Sequence, residues 1–331
     1  MRSTSSRRKK SLKTDDFILS EPFNRLNDVY FKSVMASPER KHITIAFLNA
    51  VMSHVYPGKF PEIVEIEFLD REPSAKWEGE KVPRFDVFPR AVFRECLIDA
   101  RLFHIEVQDA KDRFFLKRGF FYTCHDYAGQ SRRGLHYKDF EPVVFVGLLN
   151  FCISEESEAL REWHNLHKVL NTATHDCEFD LMDIHFAELP LLRRKWRKLK
   201  HKPSTQFEEL MFYFGNVGGK NMGDALVQEI AERNPVVAEL LDYEREFRTD
   251  PLVMRQYIFA ERAHYDYLAN LELEREEGLK EGRKEGREEG RKEGRNNERR
   301  NLVRTIRAKG TMTDEQIADM LDLPLDFVKN A

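Results

Sequence analysis

The chain has no run of the ~18 consecutive apolar residues that a membrane-spanning helix needs, so no part of it is expected to cross a bilayer. Cysteine is scarce: the 4 in 331 residues (Cys96, Cys124, Cys152 and Cys177) lie far apart and form no CxxC pair. That argues against a disulfide framework or a structural zinc site, and it fits a reducing cytoplasm. Walker A, GxGxxG and GxSxG motifs are missing too, so nucleotide-driven, dinucleotide-dependent and α/β-hydrolase chemistries have no support. No one sign of charge dominates. A net charge of -3 excludes a uniformly basic nucleic-acid coat, although the charge is unevenly spread. The first residues, MRSTSSRRKKSLK, are basic, but no apolar stretch follows them. They read as a disordered tail (residues 1–20), or as an arm touching nucleic acid, and not as a secretion signal.

What the chain does have is a pair of carboxylates on neighbouring apolar segments. Residues 82–88 (VPRFDVF) and 102–108 (LFHIEVQ) read as strands. Along the second, Phe103, Ile105 and Val107 share a core face, while Leu102, His104, Glu106 and Gln108 share the other. An ionisable Glu106 in the middle of a sheet costs free energy unless it is paired or metal-bound. If the two strands pair, Asp86 lies beside Glu106 and Gln108, with the Val107 carbonyl between them. Alone, Asp86 would be an ordinary strand-end carboxylate. Two carboxylates and a carbonyl suit Mg²⁺, or Mn²⁺ or Ca²⁺ in its place. A metal so held lowers the pKa of a bound water and stabilises charge on a phosphate. His104 reads as a neighbour satisfied by hydrogen bonds, because a hard cation prefers oxygen.

Further motifs follow a definite order: Asn27-Asp28-Val29-Tyr30-Phe31-Lys32, then Phe47-Leu48-Asn49-Ala50-Val51, Arg84-Phe85-Asp86-Val87 and Ile105-Glu106-Val107-Gln108. Arg118 with Tyr122, Gly134 with Tyr137, and Glu188-Leu189-Pro190 continue the series. Together they resemble the PD-(D/E)XK nuclease family transposases, or recombination-promoting nucleases, over roughly residues 20–200. The resemblance implies a restriction-endonuclease-like core and Mg²⁺-dependent cleavage of DNA. It implies Asp28, Asp86 and Glu106 as the acidic set, with Gln108 where the wider superfamily often has Lys. Gln can orient a water through its amide but supplies no charge. The segment between Asp86 and Glu106 is also longer than the family pattern and lacks its glycine-centred turn.

Around these motifs the chain alternates helix and strand signals, which points to an α/β or α+β layer on one mixed sheet. A helix is expected from about Asn27 to Met35, and a second opened by Ser37 as N-cap with Pro38 behind it. Strands are expected at 64–68, 142–149, 167–170 and 181–186, and a helix over 112–130 carrying Arg118, Tyr122 and Gln130 on one face. Asp28 suits the first turn of its helix electrostatically, and Lys32 is placed to pair with it or to reach a phosphate. Arg118 can clamp a phosphate, and Tyr122 can stack on a base or pack on the sheet. Arg193, Arg194 and Lys195 begin the densest cationic run, RRKWRKLKHK, with Trp196 expected beneath it. It reads as a solvated helix end or as a site that neutralises DNA phosphates. His164 and His167 lack partners at zinc spacing and read as structure.

The expected organisation is a nuclease-like domain over 21–202, a helical extension over 203–270, a charged glycine repeat over 271–299 and a small helical, helix-turn-helix-like segment over 300–331. The repeat EEGLKEGRKEGREEGRKEGR carries glycine every fourth residue, and reads as a long solvated helix or a linker that could mediate self-association. Thr313 with Gln316 matches a capping box. Two functions therefore stand at this point. One is a metal-dependent DNA endonuclease acting in recombination. The other is a catalytically weak or inactive DNA-binding or oligomerising protein of the same fold.

Overall fold

Asn27 starts the first helix, α1 (Asp28–Met35), by accepting the backbone N–H groups of Val29 (3.0 Å) and Tyr30 (3.4 Å) on its side-chain oxygen. The computed structural model describes residues 22–69, 86–94, 100–131, 135–153, 162–199, 202–215 and 225–331. The basic tail, the 82–85 part of the expected strand, Cys96, Gly134, Lys200 and His201 lie outside the described residues. Ser37 does not cap the second helix as expected. Its hydroxyl donates to Glu39 (2.7 Å) ahead of a 3-10 turn at Pro38–Arg40, and α2 runs over Lys41–Val55.

Six strands form one mixed sheet in the order β1-β2-β3-β4-β6-β5. They are β1 (Ile63–Phe68), β2 (Pro89–Phe93), β3 (Arg101–Gln108), β4 (Val143–Leu149), β5 (His164–His167) and β6 (Met182–Glu188). The β3, β4 and β6 strands run parallel to one another, whereas β1, β2 and β5 pair antiparallel to their neighbours. Of the strand expected at 82–88 only 86–88 are described, with Val87 bridged to Ile105. There β2 follows at Pro89–Phe93, where a proline without an N–H is tolerated as a strand's first residue. A second expected strand is displaced. The strand expected at 167–170 lies at His164–His167. Val169 and Leu170, apolar enough to suggest a strand, are exposed instead.

Alternation along β3 and β4 builds a core on each side of the sheet. Phe103, Ile105, Val144, Val146 and Leu148 face the larger one, shared with α2 and with α5 (Gln206–Phe214), α6 (Ala225–Arg233) and α7 (Pro235–Thr249). Phe145 and Leu149 face the smaller one, closed by Phe115 and Tyr122 of α3 (Phe115–Gly129) and by Phe186 and Phe151. Two glycines let that side close. A Cβ on Gly119 would meet the Phe145 ring at 3.2 Å, and one on Gly147 would meet Phe186, Phe115 and Phe145 at 3.1–3.2 Å. The helix α4 (Leu189–Leu199) leaves β6 directly, and its Trp196 packs edge-on to Phe212.

The chain divides into two compact units, Met1–Ala263 and His264–Ala331. A single helix, α8 (Pro251–Ala308), begins in the first and covers the glycine repeat, so the repeat is helical. A Cβ on any of Gly278, Gly282, Gly286, Gly290 or Gly294 would meet nothing within 4 Å outside the helix's own backbone. In the second unit, Val303, Ile317, Ala318 and Val328 form a small core with α9 (Asp314–Leu321) and α10 (Leu325–Lys329), and the Thr313–Gln316 capping box is formed. Among the described residues, no helix is long and apolar enough to cross a membrane.

Candidate functional site

Val87 and Ile105 exchange two backbone hydrogen bonds, Val87 N–H to the Ile105 carbonyl (3.2 Å) and Ile105 N–H to the Val87 carbonyl (2.9 Å). Carried on by one residue, this antiparallel register sets Asp86 opposite Glu106. The long connection between the strands therefore leaves their register intact. Asp86 takes the backbone N–H of Val107 on Oδ2 (3.0 Å) and the Lys32 ammonium on Oδ1 (2.9 Å). The same ammonium reaches the Asp28 carboxylate at 2.7 Å, one helical turn before it. Lys32 thus joins a solvent-facing acid to an inner one. Asp28 reaches the site through this lysine.

Asp86 and Glu106 are only 9% and 8% exposed, too little for water to screen two carboxylates that face each other. Burial pushes the Asp86 carboxyl up to about 7, and the charges of Glu106 and Asp28 add to the rise. Lys32 and the Val107 N–H pull the other way without cancelling it. Burial also works against the Lys32 charge, but Asp86 and Asp28 outweigh it and raise the lysine above its usual range.

Glu106 is held from its far side by His104. This histidine is fully buried, with Nε2 3.3 Å from Glu106 Oε2 and Nδ1 3.3 Å from Asp126 Oδ2. Its ring stacks on Tyr122 at 5.2 Å. Burial disfavours its charge, yet the two carboxylates prevail and raise its pKa. Asp126 was not singled out from the sequence. The signal was present: it continues the buried stripe of Phe115, Gly119 and Tyr122 at helical spacing, where an acid needs a partner.

Arg118 approaches from α3. Its guanidinium bonds Asp112 (2.6 Å) and the Gln108 amide oxygen (2.5 Å), and lies 3.8 Å from Glu106. The Gln108 amide nitrogen donates to the Ala110 carbonyl (3.2 Å), so both ends of that side chain have partners. Tyr122, a candidate for stacking on DNA, is instead buried beneath α3 against His104, because its helical position faces the sheet. Gln130 joins the backbone of Glu141.

The cationic run divides. Arg193 donates to Asn150 (2.6 Å) and to the Gly215 carbonyl (2.7 and 3.1 Å), and burial lowers its pKa. It therefore clamps α4 to the loop after β4 and also borders an open depression on that helix. Arg194 lines an open depression with Arg197 and Lys198, and Lys195 lies 3.7 Å from Glu162. His164, expected to be structural, bonds His54 (2.9 Å) and His185 (3.1 Å) through its two ring nitrogens. No room is left for a metal between them.

The family model of the PD-(D/E)XK nuclease family transposases matches residues 25–274. The chain belongs to this family. Neither the curated proteins nor the solved structures compared with the chain gave a match. Membership carries with it a nuclease-like function, DNA as substrate and a mixed sheet flanked by helices, and nucleases of this kind typically use divalent metal ions. The donor set of this PD-(D/E)XK member fits such an ion: two buried, mutually repelling carboxylates, beside which the chain already places an ammonium. Among the described residues, no three His, Cys, Asp or Glu side chains gather as a metal cluster.

Proposed function

We propose that the protein is a metal-dependent DNA endonuclease that hydrolyses phosphodiester bonds, with Mg²⁺ as its ion and recombination as its setting. The observation that carries this reading is the Asp86–Glu106 pair, set across neighbouring strands and held on each side by a cation, an N–H donor or a histidine. Asp86, Glu106 and the Val107 carbonyl would hold the ion. When bound, it supplies an acidified water and offsets charge on the phosphate.

The chain's own groups do the rest. His104, backed by Asp126, keeps Glu106 turned towards Asp86. Lys32 holds a proton on Nζ beside Asp86 and supplies, from α1, the positive charge that Gln108 lacks. Gln108 orients water through its amide once one of its present hydrogen bonds is released. Arg118, Arg194 and Lys195 neutralise the DNA backbone around the acids.

A second reading, a weakly active or inactive DNA-binding protein, is favoured by one observation: the Lys32 ammonium already sits on Asp86 while both ends of Gln108 are engaged. Incubating supercoiled plasmid with Mg²⁺ or Mn²⁺ separates the two. The expected result is nicking by the wild type and none by the Asp86→Ala/Glu106→Ala double variant. Cleavage by both would remove these acids from the site. Cleavage by neither, with DNA retarded on a gel, would establish the second reading.

A further inference from the structure

The outward side of α3 has no part in the site just described, yet it is unusually apolar for a solvent-facing surface. Phe114, Phe120 and Phe121 are 52%, 55% and 39% exposed, while Phe115 beside them is buried. Single exposed phenyl rings are ordinary, but three within two helical turns form a patch that marks an interaction surface. Cations are interleaved with the rings. Lys117 stands one turn before both Phe120 and Phe121, and the Arg113 guanidinium lies 4.7 Å above the Phe114 ring. Arg118 falls between Phe114 and Phe121 along the helix, at i+4 from one and i−3 from the other. Its guanidinium is the group that reaches Glu106 and Gln108. The patch is therefore continuous with the carboxylates.

We propose that this face of α3 is a base-stacking platform whose ligand is single-stranded DNA. The inference rests on the nuclease reading and specifies its substrate. Unpaired bases offer open π faces that stack on phenyl rings whatever their sequence, while lysine and arginine follow the phosphates. An intact duplex keeps its bases stacked inside and presents phosphates, which Phe114, Phe120 and Phe121 cannot satisfy. A protein partner would bury the apolar rings, but it would also have to desolvate Arg113 and Lys117 among them. A strand that passes Arg118 with its phosphates meets the rings with its bases.

The test uses the full chain in the presence of a chelator, so that binding is read without cleavage. Fluorescence anisotropy would compare a labelled oligothymidine with a duplex of equal length for the wild type, Phe114→Ala/Phe121→Ala and Phe114→Tyr/Phe121→Tyr. Both substituted positions are exposed, and unchanged unfolding midpoints would confirm intact folds. The wild type is expected to prefer the single strand. The alanine pair should weaken that binding by about tenfold or more while leaving the duplex unchanged, and the tyrosine pair should restore it. Equal losses for both DNA forms, or no loss, would overturn the proposal. So would a change of molecular mass by light scattering in the alanine pair, which would make the patch a self-association surface. Plasmid nicking with no single-strand preference would remove the platform and leave the nuclease. A single-strand preference without nicking would support the platform and remove the cleavage.

Discussion

Asp86 shows how one residue can set the working range of a site. A divalent ion requires its carboxylate, whereas the metal-free fold raises its pKa from 3.8 to about 7. Metal affinity should therefore fall as pH drops through about 7, with release of a proton on binding. The linkage to stability has the opposite sense. The native state holds this proton more tightly than the unfolded chain, so the favourable contribution is complete below 3.8 and is lost as pH rises through about 7. Asp86→Asn should therefore raise the urea midpoint of the metal-free protein above that range and leave it unchanged below 3.8. An equal gain at both ends would show that the buried charge of Asp86, disfavoured by desolvation and then by Glu106, is not what strains the site. Asp28 is the contrasting residue: exposed and joined to Asp86 only through Lys32, it should affect metal affinity far less.

At the scale of elements, α3 and β4 meet through glycine. With three aromatic rings at 3.1–3.2 Å from the place of its Cβ, Gly147 could take a side chain only if those packed rings moved apart. Gly147→Ala should lower stability by about 1–3 kcal/mol, read as a shifted denaturation midpoint with an unchanged slope. An unchanged midpoint would mean that the rings yield freely. This packing explains what could be read from residues alone. β3 and β4 were legible because their alternation and their continuous apolar run report burial directly. Asp86 and Glu106 stood out because the pattern placed carboxylates at or within strands, and the family motifs agreed. Asp126 was legible only as an acid on a buried helical stripe, because its partner His104 lies on another element and helical spacing does not name it. The position of β2 was hidden. Proline breaks up the apolar run there, so the sequence pattern alone does not show that Pro89 opens the strand and pairs with Phe68. Likewise, nothing local in RRKWRKLKHK separates Arg193, clamped to Gly215, from its outward neighbours.

At the scale of the whole first unit, the segment that leads into α1 is fastened by a residue far along the chain. Glu261 of α8 accepts the side-chain amides of Asn24 (3.1 Å) and Asn27 (2.7 Å). Close by, the Phe23 and Tyr257 rings stack at 4.6 Å. Arg25 is fully buried in an ion pair with Glu244 at 2.8 Å. Glu261→Ala leaves both amides without this acceptor and should cost about 1–2 kcal/mol of stability, measured by thermal unfolding of the full chain. It should also change metal affinity, because α1 carries the Lys32 that occupies Asp86. Lost stability with unchanged metal affinity would show that α1 keeps its place without this tie.

The tie also has a consequence in time. Asn27 and Glu261 are 234 positions apart, and a ribosome adding roughly 5–20 residues per second makes the second some ten to fifty seconds after the first. For about the last two thirds of that interval the sheet acids Asp86 and Glu106 are already synthesised, while the helix that brings Lys32 to them still lacks its fastening. The growing chain thus carries its carboxylates well before it can lock them in place, and the site matures only after Glu261 has been made.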